Sequence, residues 1–254
     1  MELIPITTPL LKTGDDLASI LLENVELQDK DILVISSKAI ATTEGSAVDL
    51  TKTIPTPEAD EISQSCGQDP RMRQAMLDEM NKRNGKVVGQ CEHAVLTELR
   101  PEGLEHGTIM AASAGMDHSN TPQDTMVGWP ADPVASVSRI RKEICNKSGK
   151  KIAVMITDSC CRPRRIGVAA IALTVSGFDP LEDLRGTEDL YGKKLRMTQE
   201  ARADQLATAA NFLMGNANAS IPAVIIRNHD VPFSDFEGWV PCMEPEEDIF
   251  HGFV

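Results

Sequence analysis

Aromatic residues are scarce in this chain: two Trp, one Tyr and six Phe among 254 residues, so the interior has to be built from Leu, Ile, Val, Ala and Met. Basic charge is short as well. Lys and Arg number 25 against 38 Asp and Glu, a formal charge of −13, which excludes general nucleic-acid binding because that relies on clustered cations displacing counterions. The cysteines at 66, 91, 145, 160, 161 and 242 show no paired zinc spacing. Vicinal Cys160-Cys161 is a poor disulfide because its geometry strains the intervening peptide. No run reaches the roughly 18 apolar residues of a membrane span, and the opening Met-Glu-Leu-Ile-Pro lacks the layout of a signal peptide. These absences predict a cytoplasmic protein with reduced thiols, no membrane partner and no nucleic-acid partner. The length suits one large domain or two small ones. We expect a single domain over 1–254, with two subdomains as the alternative and no packing assigned to the tail 228–254.

Periodicity then places the elements. Leu3 to Ile6 reads as a strand, and Leu17, Ile20, Leu21 and Val25 recur at helical spacing behind a capping Asp15, predicting a helix to about Glu26. Asp31 to Ser36 is a strand followed directly by Ser37-Lys38. Hydroxyls and a lysine at a strand end can meet phosphate, although this pattern alone is most often a plain loop. Thr56-Pro57 and Asp69-Pro70 open helices with a capping side chain and a first-turn proline. The second carries Met72, Met76, Leu77 and Met80 on one stripe, read as packing and not as a ligand box, and stops at Asn84-Gly85. Segments 86–89, 93–99 and 108–114 predict antiparallel strands, and His93 and His106 beside them read as surface or hydrogen-bonded histidines. Asp132-Pro133 starts a long helix that stops at Gly149; 167–175 and 223–226 are strands; Thr198 caps a helix to Met214. The tail after Arg227, with Phe233, Phe236, Trp239, Phe250 and Phe253, has no clear period, and packing across a partner subunit is one option for it.

Most chemical content lies in Val154 to Gly167. The apolar run 152–156 predicts a buried strand that ends in Thr157-Asp158-Ser159, with Arg162, Arg164 and Arg165 just beyond. An acid and a hydroxyl held at a strand end are oxygen donors that suit Mg²⁺ or Mn²⁺, and arginines supply planar forks for carboxylate or phosphate. One acid does not make a metal site. A second stands in Ser113-Ala114-Gly115-Met116-Asp117-His118-Ser119-Asn120, again past an apolar strand, where Asp and Asn are also what an ordinary turn uses. The polar stretch 181–198 is long enough to be functional or disordered, and Leu190-Tyr191-Gly192 within it favours order. Residues 215–220 form a small-residue loop of the kind that lets backbone N–H groups approach phosphate.

Taken in order, these motifs resemble one family, the coenzyme F420-0:L-glutamate ligases, over roughly residues 5–227. The most specific part is Gly177-Phe178-Asp179-Pro180-Leu181-Glu182-Asp183-Leu184-Arg185-Gly186, continuing through Asp189-Leu190-Tyr191-Gly192 to Met197-Thr198 and Leu213-Met214-Gly215. Pro9-Leu10-Leu11-Lys12 with Gly14-Asp15-Asp16, the stretch 114–120, and Thr157-Asp158-Ser159 with Arg162-Pro163 fall in the family's order. The resemblance implies an α+β fold of mixed and antiparallel sheets flanked by helices, built as an intertwined homodimer. It implies a GTP-dependent ligase that joins L-glutamate to coenzyme F420-0 or a related acceptor through an acyl phosphate, with Mg²⁺ or Mn²⁺ and with K⁺ as a further option. Carried over residue by residue, it puts Asp117, Asp158, Ser159 and Asn216 at divalent-metal positions. It puts Thr8, Pro9, Leu10, Leu11, Ser37, Lys38, Asn120 and the run Met214, Gly215, Asn216, Ala217, Asn218, Ala219, Ser220, Ile221 at GTP-binding positions. Neutralising several anions is metal-ion and arginine work, and Arg162 and Arg165 are the arginines expected to do it.

Three positions depart from the family pattern. Thr42 stands where the family has a phosphate-facing lysine, with Lys38 four residues earlier as its stand-in; Asn216 stands where it has a metal-binding glutamate; and Cys161 stands where it has a glycine. An amide oxygen brings no charge, so metal affinity is expected to fall. The alternatives are a divergent paralogue acting on a different acid, amine or nucleotide, and a binding homologue that has lost turnover.

Overall fold

The computed structural model describes residues 1–252; Phe253, one of the tail aromatics, lies outside the described residues. In chain order the first half carries β1 (Glu2–Ile6), α1 (Leu17–Glu23), β2 (Ile32–Ser36), α2 (Ser37–Thr43), β3 (Val48–Asp49), α3 (Pro57–Cys66), α4 (Pro70–Lys82), β4 (Lys86–Cys91), β5 (Ala94–Leu99), β6 (Ile109–Ala112) and β7 (Thr125–Met126). The second half carries α5 (Pro133–Ser148), β8 (Ala153–Cys161), β9 (Val168–Phe178), β10 (Glu182–Asp183), β11 (Gln199–Glu200), α6 (Arg202–Met214), β12 (Ala223–Arg227) and β13 (Phe233–Trp239). This is a mixed α/β architecture in which helices flank mixed and antiparallel sheets.

The central sheet has the order β1-β12-β2-β8-β9-β13. Every pairing is antiparallel except β2 with β8. A parallel pair needs a long crossover, and everything from α2 to α5 makes it. Successive side chains of a strand point to opposite faces, and here both faces are covered. Leu33, Ile35, Val154, Ile156, Leu173 and Ile225 pack with Leu17 and Leu21 of α1 and Val137, Ile140 and Ile144 of α5. Ile32, Val34, Met155, Val224 and Ile226 pack with Ala203, Leu206, Ala207 and Ala210 of α6. Two covered faces explain why β2, β8 and β12 read as unbroken apolar runs. Each such side chain contributes roughly 1.5–3 kcal/mol by leaving water.

A second, three-stranded antiparallel sheet, β4-β5-β6, joins the α1/α5 side of the core together with α3 and α4. Gly85 makes the turn from α4 into β4, where an added Cβ would lie 2.6 Å from the Leu99 side chain and 2.8 Å from the Glu98 carbonyl. At the far end of the large sheet, Arg227 grips Asp31 with two parallel hydrogen bonds of 2.8 and 2.7 Å. Asp31 is 1% exposed.

Several expectations are corrected. Asp16, not Asp15, caps α1, accepting from the Ser19 amide at 3.0 Å, while Asp15 accepts from the Lys12 amide; the helix ends at Glu23, short of Glu26. Thr198 caps nothing: α6 starts at Arg202 because residues 199–200 pair with 182–183 as β11 and β10. The stretch between them is ordered by cross-loop bonds such as Gly186 N–H to the Leu195 carbonyl at 2.8 Å. The tail packs on its own chain as far as Cys242. β13 pairs with β9 at the sheet edge, and Trp239 is buried 6.1 Å from the Trp129 ring, donating to the Glu102 carbonyl at 3.0 Å. Among the described residues no helix is long and apolar enough to cross a membrane.

Candidate active site

Strand register brings distant segments to one end of the large sheet. Ser36 of β2 lies opposite Thr157 of β8, Ala223 of β12 opposite Ile35, and Ile6 of β1 opposite Ala223. The chain leaving β1, the start of α2, the middle of β8 and the loop entering β12 therefore converge. Binding crevices form at such carboxyl ends of strands. The result is a cleft of about 720 Å³, walled also by the loop after β6.

The strand holding Asp158 does not stop where its apolar run stops. β8 continues to Cys161, paired with β9 through Val168, with a register shift between Ile156 and Thr157. Burial turns there from continuous to alternating, so the acid sits within a strand that is half covered, just past a bulge. Bulges next to active sites re-aim side chains in this way. A second correction concerns Ser37-Lys38, which open α2 and are not a loop; Ala39, Ile40 and Ala41 are buried and hold that turn helical.

The two acids sit in opposite environments. Asp158 is half-buried. Its Oδ2 accepts from the Trp129 indole N–H at 2.6 Å and its Oδ1 from the Ser159 amide at 2.9 Å. Burial pushes its carboxyl up to about 6, against the pull of these donors and Ser37. Asp117 also feels burial, but hydrogen bonds from Lys38 and Ser119 outweigh it and hold the carboxyl at about 2. The Lys38 ammonium reaches Asp117 Oδ2 at 2.5 Å, the Ser119 carbonyl at 2.9 Å and the Ser119 hydroxyl at 3.0 Å. Ser119 returns two hydrogen bonds to Asp117, at 2.8 Å from its amide and 2.5 Å from its hydroxyl.

Backbone geometry sets up this arrangement. Ser113, Ala114 and Gly115 all take positive φ, 50°, 55° and 75°, a left-handed turn costly for the two residues that carry a Cβ. Glycine is required third, since a Cβ there would lie 2.5 Å from the Trp129 indole nitrogen. The Asn120 amide donates to the Ala217 carbonyl at 2.8 Å, tying the Asp117 loop to the loop after α6. The Thr8 amide donates to the Ser220 carbonyl at 3.0 Å.

Of the residues singled out from sequence, Thr8 to Leu11, Ser37, Lys38, Asp117, Asn120, Asp158, Ser159, Met214 to Asn218, Ser220 and Ile221 all line this cleft. Thr42, Cys160 and Cys161 line it too. Ala219 does not, and neither do Arg162 and Arg165, which stand exposed on the turn joining β8 to β9. The structure thus parts the two arginines from the acids within one chain, because they follow the end of β8, five and more residues beyond the bulge. Trp129 and Ser119 went unassigned from sequence. One of only two tryptophans, Trp129 signalled a buried N–H in need of an acceptor, but nothing local named Asp158 as that acceptor.

Among the described residues no three His, Cys, Asp or Glu side chains converge as a metal cage. The candidate metal donors in the cleft are the carboxylates of Asp117 and Asp158, the Ser159 hydroxyl and the Asn216 amide oxygen. That set fits Mg²⁺ or Mn²⁺ held by one or two carboxylates and completed by phosphate oxygens, not a metal caged by protein alone. The raised Asp158, with no basic side chain bonded to it, is the group that a cation would relieve.

Acids, a lysine and small-residue loops gathered at strand ends wall this cleft, the kind of concave polar crevice that enzymes use. The family model described as F420-0:Gamma-glutamyl ligase matches residues 5–228. The chain is 38% identical over 251 residues to the coenzyme F420:L-glutamate ligase of Methanocaldococcus jannaschii, covering 98% of this chain and 96% of that one. It is 34% identical over 251 residues to the enzyme of the same name from Methanothermobacter thermautotrophicus, covering 96% of each chain. The chain belongs to the F420-0:gamma-glutamyl ligase family and is a ligase by that membership.

Proposed function

We propose that this chain is a GTP-dependent γ-glutamyl ligase that joins L-glutamate to coenzyme F420-0 or a related acceptor. The observation that carries the reading is the convergence of Asp117, Asp158, Lys38 and the 215–221 loop in one cleft. An amide does not form from a free carboxylate and an amine at neutral pH without activation. In this reading the acceptor carboxylate takes the γ-phosphoryl group of GTP and GDP departs. The glutamate amine then attacks the acyl phosphate, phosphate leaves, and the amine gives up a proton. Such chemistry asks the protein mainly for positioning and charge stabilisation.

Ser37, Lys38 and the backbone of 215–221 meet the phosphates, and Asn120 fixes that loop through Ala217. Asp117, Asp158, Ser159 and Asn216 are the residues that would hold Mg²⁺ or Mn²⁺, which supplies charge neutralisation on the phosphate oxygens. Arg162 and Arg165 reach substrate anions in a homodimer, where the β8–β9 turn of one subunit approaches the cleft of the other. Its support is apolar exposure: Ile166 on that turn, Leu190, Tyr191 and Met197 on the 184–198 loop and Phe212 on α6 are all exposed, and large apolar side chains left in water gain by burial against a partner.

The test is purified protein with GTP, Mn²⁺, L-glutamate and coenzyme F420-0, read by mass spectrometry for a product one glutamyl unit heavier. Absence of both nucleotide binding and product sinks the reading. A second reading, a paralogue acting on a different acid, amine or nucleotide, is favoured by Thr42, Asn216 and Cys161 standing together in the cleft wall. A panel of nucleotides and amino acids read by phosphate release separates the two.

A further inference from the structure

Lys38 is placed unusually for a phosphate-binding lysine. All three ammonium hydrogens have partners, and every partner belongs to Asp117 or Ser119. Asp117 is equally satisfied, by Lys38 on Oδ2 and Ser119 on both oxygens. Lys38 therefore stands where a cation bound to Asp117 would stand. Its side chain is 25% exposed, open enough to the cleft to swing away. Asp158, by contrast, has no ammonium or guanidinium bonded to it, so the cleft's two acids share one internal counter-ion.

We propose that Lys38 is an internal counter-ion that competes with the divalent cation for Asp117, so that cation and anionic nucleotide bind as a coupled pair. This rests on the reading of the cleft as a metal–nucleotide site. The coupling follows from charge. While Lys38 sits on Asp117, a divalent cation meets a positive neighbour and only part of the carboxylate. When a polyphosphate enters, its oxygens offer Lys38 an alternative anion, and Asp117 is released. Linkage then requires the reverse: the cation frees Lys38 and tightens the nucleotide by the same factor. Ser119 is the latch, since it holds both members of the pair.

The experiment measures Mn²⁺ binding by the paramagnetic resonance signal of free Mn²⁺, without nucleotide and with a non-hydrolysable GTP analogue. The wild type is expected to bind Mn²⁺ alone weakly and to gain about 5- to 150-fold on adding the analogue, the usual span of a coupling between sites. Lys38→Met is expected to bind Mn²⁺ alone more tightly than the wild type, and to gain much less from the analogue. Ser119→Ala, which loosens the latch but keeps the charge, falls between. Circular dichroism confirms that each variant is folded; if Lys38→Met is not, Lys38→Gln takes its place. Mn²⁺ affinity in the folded Lys38 variant equal to or weaker than wild type, without nucleotide, overturns the proposal. No Mn²⁺ binding by any form, with or without the analogue, overturns the metal–nucleotide reading itself, and so the two failures are distinct.

Discussion

Replacing Asp158 by asparagine is expected to stabilise the metal-free protein while abolishing ligation. Burial pushes the Asp158 carboxyl from 3.8 up to about 6, and the Trp129 and Ser159 donors only partly offset it. The folded state therefore disfavours the charged form. Because the folded pKa lies above the unfolded one, the contribution to stability is fully present below about pH 4 and is lost as pH rises through about 6. At about 1.4 kcal/mol per pH unit, the shift from 3.8 to about 6 corresponds to about 3 kcal/mol. The exposed part of the side chain reduces that figure by solvent screening. Asparagine escapes the loss but introduces another. Both carboxylate oxygens accept hydrogen bonds, and an amide has one oxygen, so one donor goes unmet at about 1 kcal/mol. The net gain expected near pH 8 is about 1–2 kcal/mol, falling to nothing or below near pH 4. Urea unfolding of both proteins in chelator, followed by far-ultraviolet circular dichroism across this range, reads it directly. The hydrogen-bond offset does not vary with pH, so the slope is diagnostic. A stability difference that stays flat between about pH 4 and 7 refutes the reasoning.

Arg227→Met leaves Asp31 buried without its partner and is expected to lower stability by about 3–5 kcal/mol; a loss below about 1 kcal/mol in urea unfolding contradicts the pair's placement. Ligand binding in the cleft should survive, since the pair lies at the other end of the sheet. Arg73 is 1% exposed, its Nε has no hydrogen-bond partner among the described residues, and its two other bonds are long, 3.5 Å to the Ser113 hydroxyl and 3.4 Å to the Cys66 carbonyl. Arg73→Met is therefore expected to raise stability by about 1–3 kcal/mol, and a lower urea midpoint shows instead that the guanidinium is well solvated by its neighbours. Thr42 and Asn216 both line the cleft; where the proposed reading puts a lysine and a glutamate at these positions, they are two changes of opposite sign that leave its formal charge unaltered. In chelator, without divalent cation, Asn216→Glu alone should weaken binding of the GTP analogue and Thr42→Lys should restore it, with a coupling of about 0.5–3 kcal/mol in a double-mutant cycle; additive effects rule out the compensation.

Elements with strict periodicity or two-sided burial were legible in the chain. The helix from Asp132-Pro133 to Gly149, the runs of β2 and β12 and the three antiparallel strands near residues 86–114 stand where alternation and capping put them. Elements whose pattern is set by partners were not. β8 keeps extending past Ile156 because β9 pairs with it, although its composition turns polar at Thr157. α6 starts late because residues 199–200 prefer a strand partner. β13 forms from a tail without period because the β9 edge is open to it. The site shows the same division. Both acids could be picked out, each within two residues of a serine and past an apolar run. Their difference could not, because it is made by residues far away in the chain. Lys38 lies 79 positions before Asp117, and Trp129 lies 29 before Asp158. Local sequence supplies a carboxylate; topology decides whether an ammonium and its companions outweigh burial and the pKa falls, as at Asp117, or burial prevails over the indole and other donors and it rises, as at Asp158. That is why two similar motifs yield one acid paired with an ammonium and one bonded to an indole.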